Sequence, residues 1–228
     1  MVRVIAHRGA SVAEPENSIA AFAAAGRLGA HGVELDVRRS RDHAAVVHHD
    51  ANLADGRLIA ELTVADLPDG VPLLGAAIDA CEGMMVNIEI KNVSIDPDYD
   101  PDNFLVAAVA AIVNDRARLD DVLVSSFNWD TVDLMAGAEP ALGRAYLTVP
   151  NADQHRAIAR LARRGHQAIH PHHLAVNAEM VAAAHDAGIE VNVWTVDDPD
   201  RMRWLAEAGV DGIVTNVPDV ALAALAAG

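Results

Sequence analysis

The chain has 228 residues and is 52% hydrophobic, with Lys+Arg 17 against Asp+Glu 33 for a formal charge of -16. Length and apolar content predict a globular chain with a substantial core, organised as one domain over residues 1–228. The charge argues against nucleic acid or an anionic membrane as partner, because both need a cationic footprint. The lone Cys81 excludes an intramolecular disulfide. No apolar run reaches the roughly 20 residues of a membrane span, and the opening "MVRVIAHRGASVAEPENS" has no charged region followed by a long apolar one. The expectation is a cytoplasmic protein without stable membrane insertion.

In chain order, β-branched runs at residues 2–6, 32–37, 85–90, 122–126, 142–147, 167–170, 190–195 and 212–215 predict strands, with 45–48 as a short partner extension. Segments of helical period at 18–28, 73–81, 102–117, 130–136, 153–163, 178–187, 200–208 and 219–226 lie between them. Several begin near Asp or Ser, and Gly188 and Gly209 follow two of them, as helix caps prefer. Strand-helix alternation throughout predicts a parallel α/β sheet. The Gly-rich phosphate loops of doubly wound folds are absent, so the pattern favours a closed (β/α)8 TIM barrel.

In such a barrel the C-terminal strand ends converge on one rim, and that rim carries the chemistry. The first strand delivers His7 and Arg8, and the second Glu34 and Asp36. The short extended run after it delivers His48, His49 and Asp50, and "MVNIEIKN" delivers Glu89 and Lys91. Glu34 and Asp36 are two apart and share a face, as Glu89 and Lys91 do, which turns Ile88 and Ile90 outward.

Carboxylates inside a barrel are costly unless neutralised. One solution is a polar ladder in which Arg8 and Lys91 pair with the acids. The other is a hard divalent cation, Mg2+ or Ca2+, on three carboxylates. Acids, bases and histidines together on successive strand ends favour the second. Two histidines beside such a centre suit general acid/base work, and Arg8 supplies a fork for phosphate oxygens. The combination points to phosphate-ester chemistry.

The ordered motifs "AHRG", "PENS", "ELDV", "VVHHD" and "IEIK", with "SSFN", "VNVWTV" and "GIVTNVP" at later strand ends, resemble the glycerophosphodiester phosphodiesterase family over nearly the whole chain. The resemblance implies a (β/α)8 barrel that hydrolyses glycerophosphodiesters to glycerol 3-phosphate and an alcohol. It implies His7 and His49 as the acid/base pair and Glu34, Asp36 and Glu89 as metal ligands. Arg8 and Lys91 would contact the phosphate, and Trp194 would line the glycerol side. The implied route is attack by the neighbouring glycerol hydroxyl, giving a cyclic phosphate that water opens. The loop "ANLADGRLIAELTVADLPDGVPLL" is shorter than the family pattern and lacks its Thr pair, which bears on the leaving alcohol.

Two rival functions remain: a phospholipase D-like lyase that leaves the cyclic phosphate unopened, and a non-catalytic barrel that binds phosphodiesters. A missing histidine or carboxylate would mark the latter, and none is missing. "HPHHL", with His170, His172 and His173 at the end of the sixth strand, fits no common zinc spacing and reads as a solvated loop, with a substrate-side role as the alternative. Phe127 reads as packing, and Trp129 and Trp204 as core or surface.

Overall fold

The alternating pattern folds as strands and helices wound into a ring, in a computed structural model that describes residues 1–226. The strands are β1 (Arg3–His7), β2 (Gly32–Arg39), β3 (Ala45–Val47), β4 (Met85–Ile90), β5 (Val122–Ser126), β6 (Gly143–Thr148), β7 (Ala168–Pro171), β8 (Glu190–Val193) and β9 (Gly212–Thr215). The helices are α1 (Ile19–Leu28), α2 (Leu74–Ala80), α3 (Phe104–Asp115), α4 (Trp129–Ala138), α5 (Gln154–Arg164), α6 (Ala178–Asp186), α7 (Pro199–Glu207) and α8 (Pro218–Ala226). β1, β2 and β4 to β9 pair in parallel, and the β1–β2 and β1–β9 pairings close the barrel. β3 lies antiparallel on the far end of β2, with Val37 opposite Val47, outside the ring. The fold is the (β/α)8 barrel that the strand count predicts.

The two-residue period of a strand explains the layering. On β2, Val33, Leu35 and Val37 join Val86, Ile88 and Ile90 of β4 in a core shared with Phe22, Ile78 and Val109 of the surrounding helices. The opposite half repeats this with Ile169, Val191 and Ile213 against Leu161, Met180 and Leu205. Each large buried side chain contributes about 1.5–3 kcal/mol of transfer free energy. The alternate β2 positions, Glu34 and Asp36, are thereby pushed into the barrel interior, where both are buried.

Helix ends fall where side chains can satisfy the first free N–H groups. Ser18, Asp153, Asn177 and Asp198 each accept from an amide of the following first turn, worth about 1 kcal/mol apiece. The helix predicted from residue 102 starts instead at Phe104, because the Asp100 carboxylate accepts from the amides of Asp102 and Phe104 while Asn103 turns left-handed. The irregular stretch before it is tied down by Asn92. Its Nδ2–H donates to the Asp100 carbonyl and to Asn103 Oδ1, and its Oδ1 accepts from the Asp100 amide.

β1 ends where it does because of Gly9. Its φ is +82°, and a Cβ there would sit 2.6 Å from the Cβ of Ala21. Arg8 before it is also left-handed at φ 55°, a conformation that costs a non-glycine residue about 1–3 kcal/mol. The turn throws the Arg8 guanidinium back over the barrel mouth.

Candidate active site

Glu34, Asp36 and Glu89 each offer a carboxylate oxygen, and the three lie within 4.8 Å of one another. The parallel register places Asp36 directly beside Glu89 on adjacent strands. Around them, Lys91 Nζ stands 2.6 Å from Glu89 Oε1 and 3.0 Å from Asp36 Oδ1, and Arg8 Nε is 3.2 Å from Asp36 Oδ2. The Arg8 backbone N–H donates to Glu34 Oε2 at 3.1 Å. The polar-ladder alternative is therefore realised in part, with both cations paired to acids.

Counting charge decides what the ladder leaves over. Three carboxylates face two cations, and Arg8 is also shared with Glu16, which accepts from its Nη1 at 2.9 and 3.0 Å. Burial, then the charges of Asp36 and Glu89, raise the Glu34 carboxyl well above its usual range. Burial also raises Glu89. Burial opposes ionisation of Asp36 too, but Lys91 and Arg8 outweigh it and hold that carboxyl low. Lys91 in turn is held charged by Glu89 and Asp36 against its own burial. The site is short of positive charge, and its spare donors are hard oxygens. That donor set fits a divalent cation such as Mg2+ or Ca2+.

His7 closes β1 with Nε2 3.9 Å from Glu34 Oε2, while Nδ1 lies 2.7 Å from Asn216 Oδ1. Burial and the Arg8 charge lower its pKa. His49 sits beyond β3 with Nδ1 2.8 Å from Asp50 Oδ1, and burial followed by the Lys91 charge lowers its pKa. Its neighbour His48 turns away, with Nδ1 2.8 Å from the Asp50 carbonyl. Arg38 fixes the His49 backbone, donating from Nε to its carbonyl at 2.7 Å while Asp98 accepts from Nη1 at 2.7 and 2.9 Å.

Trp194, just past β8, shares a cavity with His7, Glu34 and Glu89. Its Nε1–H donates to the His170 carbonyl at 2.8 Å, and Phe127 packs edge-on at 5.6 Å between ring centroids. Of the "HPHHL" histidines, His170 is not in a solvated loop. It is a buried residue of β7 that also lines this cavity, with Nε2 3.1 Å from Asn192 Nδ2. Its inward strand position explains the difference. His172 accepts from the Leu174 amide to cap a short turn and meets Trp194 edge-on at 5.1 Å, with the His173 ring beside it at 4.6 Å.

Three supporting residues escape sequence reasoning. Asn17 Nδ2–H donates to Asp36 Oδ2 at 2.9 Å, and its Oδ1 accepts from the Asp36 amide at 3.2 Å. Asn216 and Asp197 back His7 from the ends of β9 and β8. The available signal was the place of Asn17 inside "PENS", of Asn216 inside "GIVTNVP" and of Asp197 directly after "VNVWTV".

Clustered acids, two cations and two histidines on one barrel rim are groups suited to phosphate-ester chemistry. The sequence profile of the Glycerophosphoryl diester phosphodiesterase family matches residues 7–220, and the chain belongs to that family. It is a phosphoric diester hydrolase acting on glycerophosphodiesters. A glycerophosphodiester phosphodiesterase of Caldanaerobacter subterraneus is 30% identical, covering 95% of this chain and 94% of the relative. Among solved structures, an Oleispira antarctica phosphodiesterase in complex with the product sn-glycerol-3-phosphate is similar at 27% identity and TM-score 0.88, covering 98% of this chain and 96% of that one. A glycerophosphodiester phosphodiesterase from Thermotoga maritima aligns at 26% identity and TM-score 0.83, covering 98% of each chain. No helix among the described residues is long and apolar enough to cross a membrane.

Proposed function

We propose that this chain cleaves small glycerophosphodiesters by metal-assisted catalysis with His7 and His49 as the acid/base pair, by way of a cyclic phosphate. The supporting observation is the juxtaposition of the Glu34, Asp36 and Glu89 oxygens with His7 on one rim. A Mg2+ or Ca2+ ion held by those three carboxylates would neutralise phosphoryl charge and acidify the attacking hydroxyl. Arg8 and Lys91 are the cations that meet the phosphate oxygens, and Trp194 forms an apolar wall for the glycerol carbons.

In the first half-reaction the glycerol hydroxyl next to the phosphoester attacks phosphorus. The new P–O bond closes the ring, one histidine accepts the hydroxyl proton, and the other protonates the departing alcohol oxygen. In the second half, water forms a P–O bond and loses its proton to the second histidine. The first returns its proton to the ring oxygen as that P–O bond breaks, which regenerates both groups. Glycerol 3-phosphate and the alcohol are the products.

Phosphorus NMR of glycerophosphocholine turnover with added Mg2+ tests this. The reading expects glycerol 3-phosphate as the end product, with turnover lowered by about 10²–10⁴-fold in His7→Gln and in His49→Gln. Accumulation of the cyclic phosphate would identify a lyase, and unaltered turnover in both variants would remove the histidine pair.

A further inference from the structure

The ends of β1, β8 and β9 meet in a hydrogen-bond chain whose polarity can be read from its far end. The Asp197 carboxylate accepts three bonds: Oδ1 from the Asn216 amide at 2.8 Å and from the Thr215 hydroxyl at 2.9 Å, and Oδ2 from Asn216 Nδ2–H at 2.7 Å. A carboxylate offers only acceptors, so the Asn216 NH2 group must face it and Oδ1 must face the other way. That oxygen receives the Ser11 hydroxyl at 3.1 Å and lies 2.7 Å from His7 Nδ1. An amide oxygen cannot donate. His7 Nδ1 must therefore carry the proton.

A neutral imidazole protonates one nitrogen and leaves the other basic. With the proton fixed on Nδ1, the basic nitrogen is Nε2, the atom turned towards Glu34 and the cavity shared with Trp194. The acceptor that fixes it is a neutral amide, so the tautomer is set without a negative charge against the ring.

We propose that Asn216 and Asp197 are positioning residues that hold His7 in the Nδ1–H tautomer, with Nε2 as the basic nitrogen presented to the substrate. Asp197 acts through Asn216 by fixing the orientation of its amide. This rests on the reading of His7 as an acid/base group. Asp197 touches neither His7 nor the cavity, and its importance follows only from the direction of the bonds.

The same polarity predicts a rescue. Asn216→Asp alone sets two carboxylates against each other. Asp197→Asn alone frees the Asn216 amide to turn. In the double variant Asp197→Asn/Asn216→Asp, residue 216 again accepts from Nδ1–H and residue 197 donates to it. A residue with a merely structural role would lose folding stability without moving the proton.

The test combines kinetics on glycerophosphoethanolamine with added Mg2+ and long-range proton-nitrogen NMR of the His7 ring, at a pH about two units above the ordinary imidazole value. Asn216→Leu is expected to lower kcat by about 10–100-fold, the usual cost of losing an outer hydrogen-bond partner, with KM within about twofold. Its His7 signals should show a mixture of tautomers. The double variant should recover the Nδ1–H pattern and most of kcat. A wild-type ring protonated on Nε2 overturns the proposal even if Asn216→Leu does not fold. So does an Asn216→Leu variant with unchanged kcat and tautomer. An Nδ1–H ring in an enzyme that loses nothing in His7→Gln would instead sink the catalytic reading of His7, and this inference with it.

Discussion

Asn17 grips Asp36 at both ends of the peptide and side chain: Nδ2–H donates to Oδ2 at 2.9 Å and Oδ1 accepts from the Asp36 amide at 3.2 Å. Asn17 does this from a left-handed conformation, φ 53°, that asparagine tolerates better than most residues. The carboxylate at the centre of the acidic cluster is thus aimed before any ligand arrives. Asn17→Ala should weaken Mg2+ or Ca2+ binding by about 10–100-fold, as loss of an outer-shell partner does. It should also cost about 1–3 kcal/mol of stability through the unpaired Asp36 groups. Titration calorimetry and urea unfolding read the two effects separately, and unchanged metal affinity would show that Asp36 needs no such support.

Lys91 supplies a prediction with two opposite signs. Its ammonium pairs with Glu89 and Asp36, and all three groups are largely shielded from solvent. Lys91→Met should destabilise the metal-free protein by up to about 3–5 kcal/mol, because a buried charge pair is broken on one side. The same change should make divalent binding tighter while turnover falls, since the ion gains the charge deficit that Lys91 had filled. Thermal unfolding with and without Mg2+ would show it as a larger metal-induced shift in Tm than in wild type. An equal or smaller shift would mean the acids do not serve a cation.

His170 should make the fold acid-labile. Burial pulls its pKa down to about 3, so the folded protein keeps it neutral while an unfolded chain protonates it near the ordinary value of 6.5. Between those values the unfolded state binds the extra proton, and stability falls as pH falls. The contribution is fully present above about 6.5 and is lost on the way down towards 3. His170→Asn should therefore flatten the pH dependence of unfolding by up to about 1.4 kcal/mol per pH unit in that window. Parallel slopes for the two proteins would place the acid sensitivity elsewhere.

Much of this was legible in the sequence, for a physical reason. A parallel barrel strand must be apolar on its helix-facing side, so "GVELDV" with acids at alternate positions can only aim them inward. The same logic located His7, Glu89 and Lys91 at strand ends, while the family resemblance is what put Trp194 beside them. What the sequence did not show are bonds whose partners lie far apart in the chain. Asn216 is 209 positions from His7, and Arg38 is 60 from Asp98. No local period reports such pairs. His170 ends the predicted strand at 167–170, but the polar "HPHHL" run makes the cluster look like solvated loop, whereas β7 continues through Pro171 and holds the histidine buried.

The most direct test of the central claim is glycerol 3-phosphate release from glycerophosphocholine and glycerophosphoethanolamine after EDTA treatment, then after readdition of Mg2+ or Ca2+, for wild type and Glu89→Gln. The account predicts release that stops with EDTA, returns with one of the two ions, and falls by about 10²-fold or more in Glu89→Gln, which removes one of the three carboxylates proposed to hold the ion. Undiminished release in EDTA, or full activity in Glu89→Gln, would contradict it.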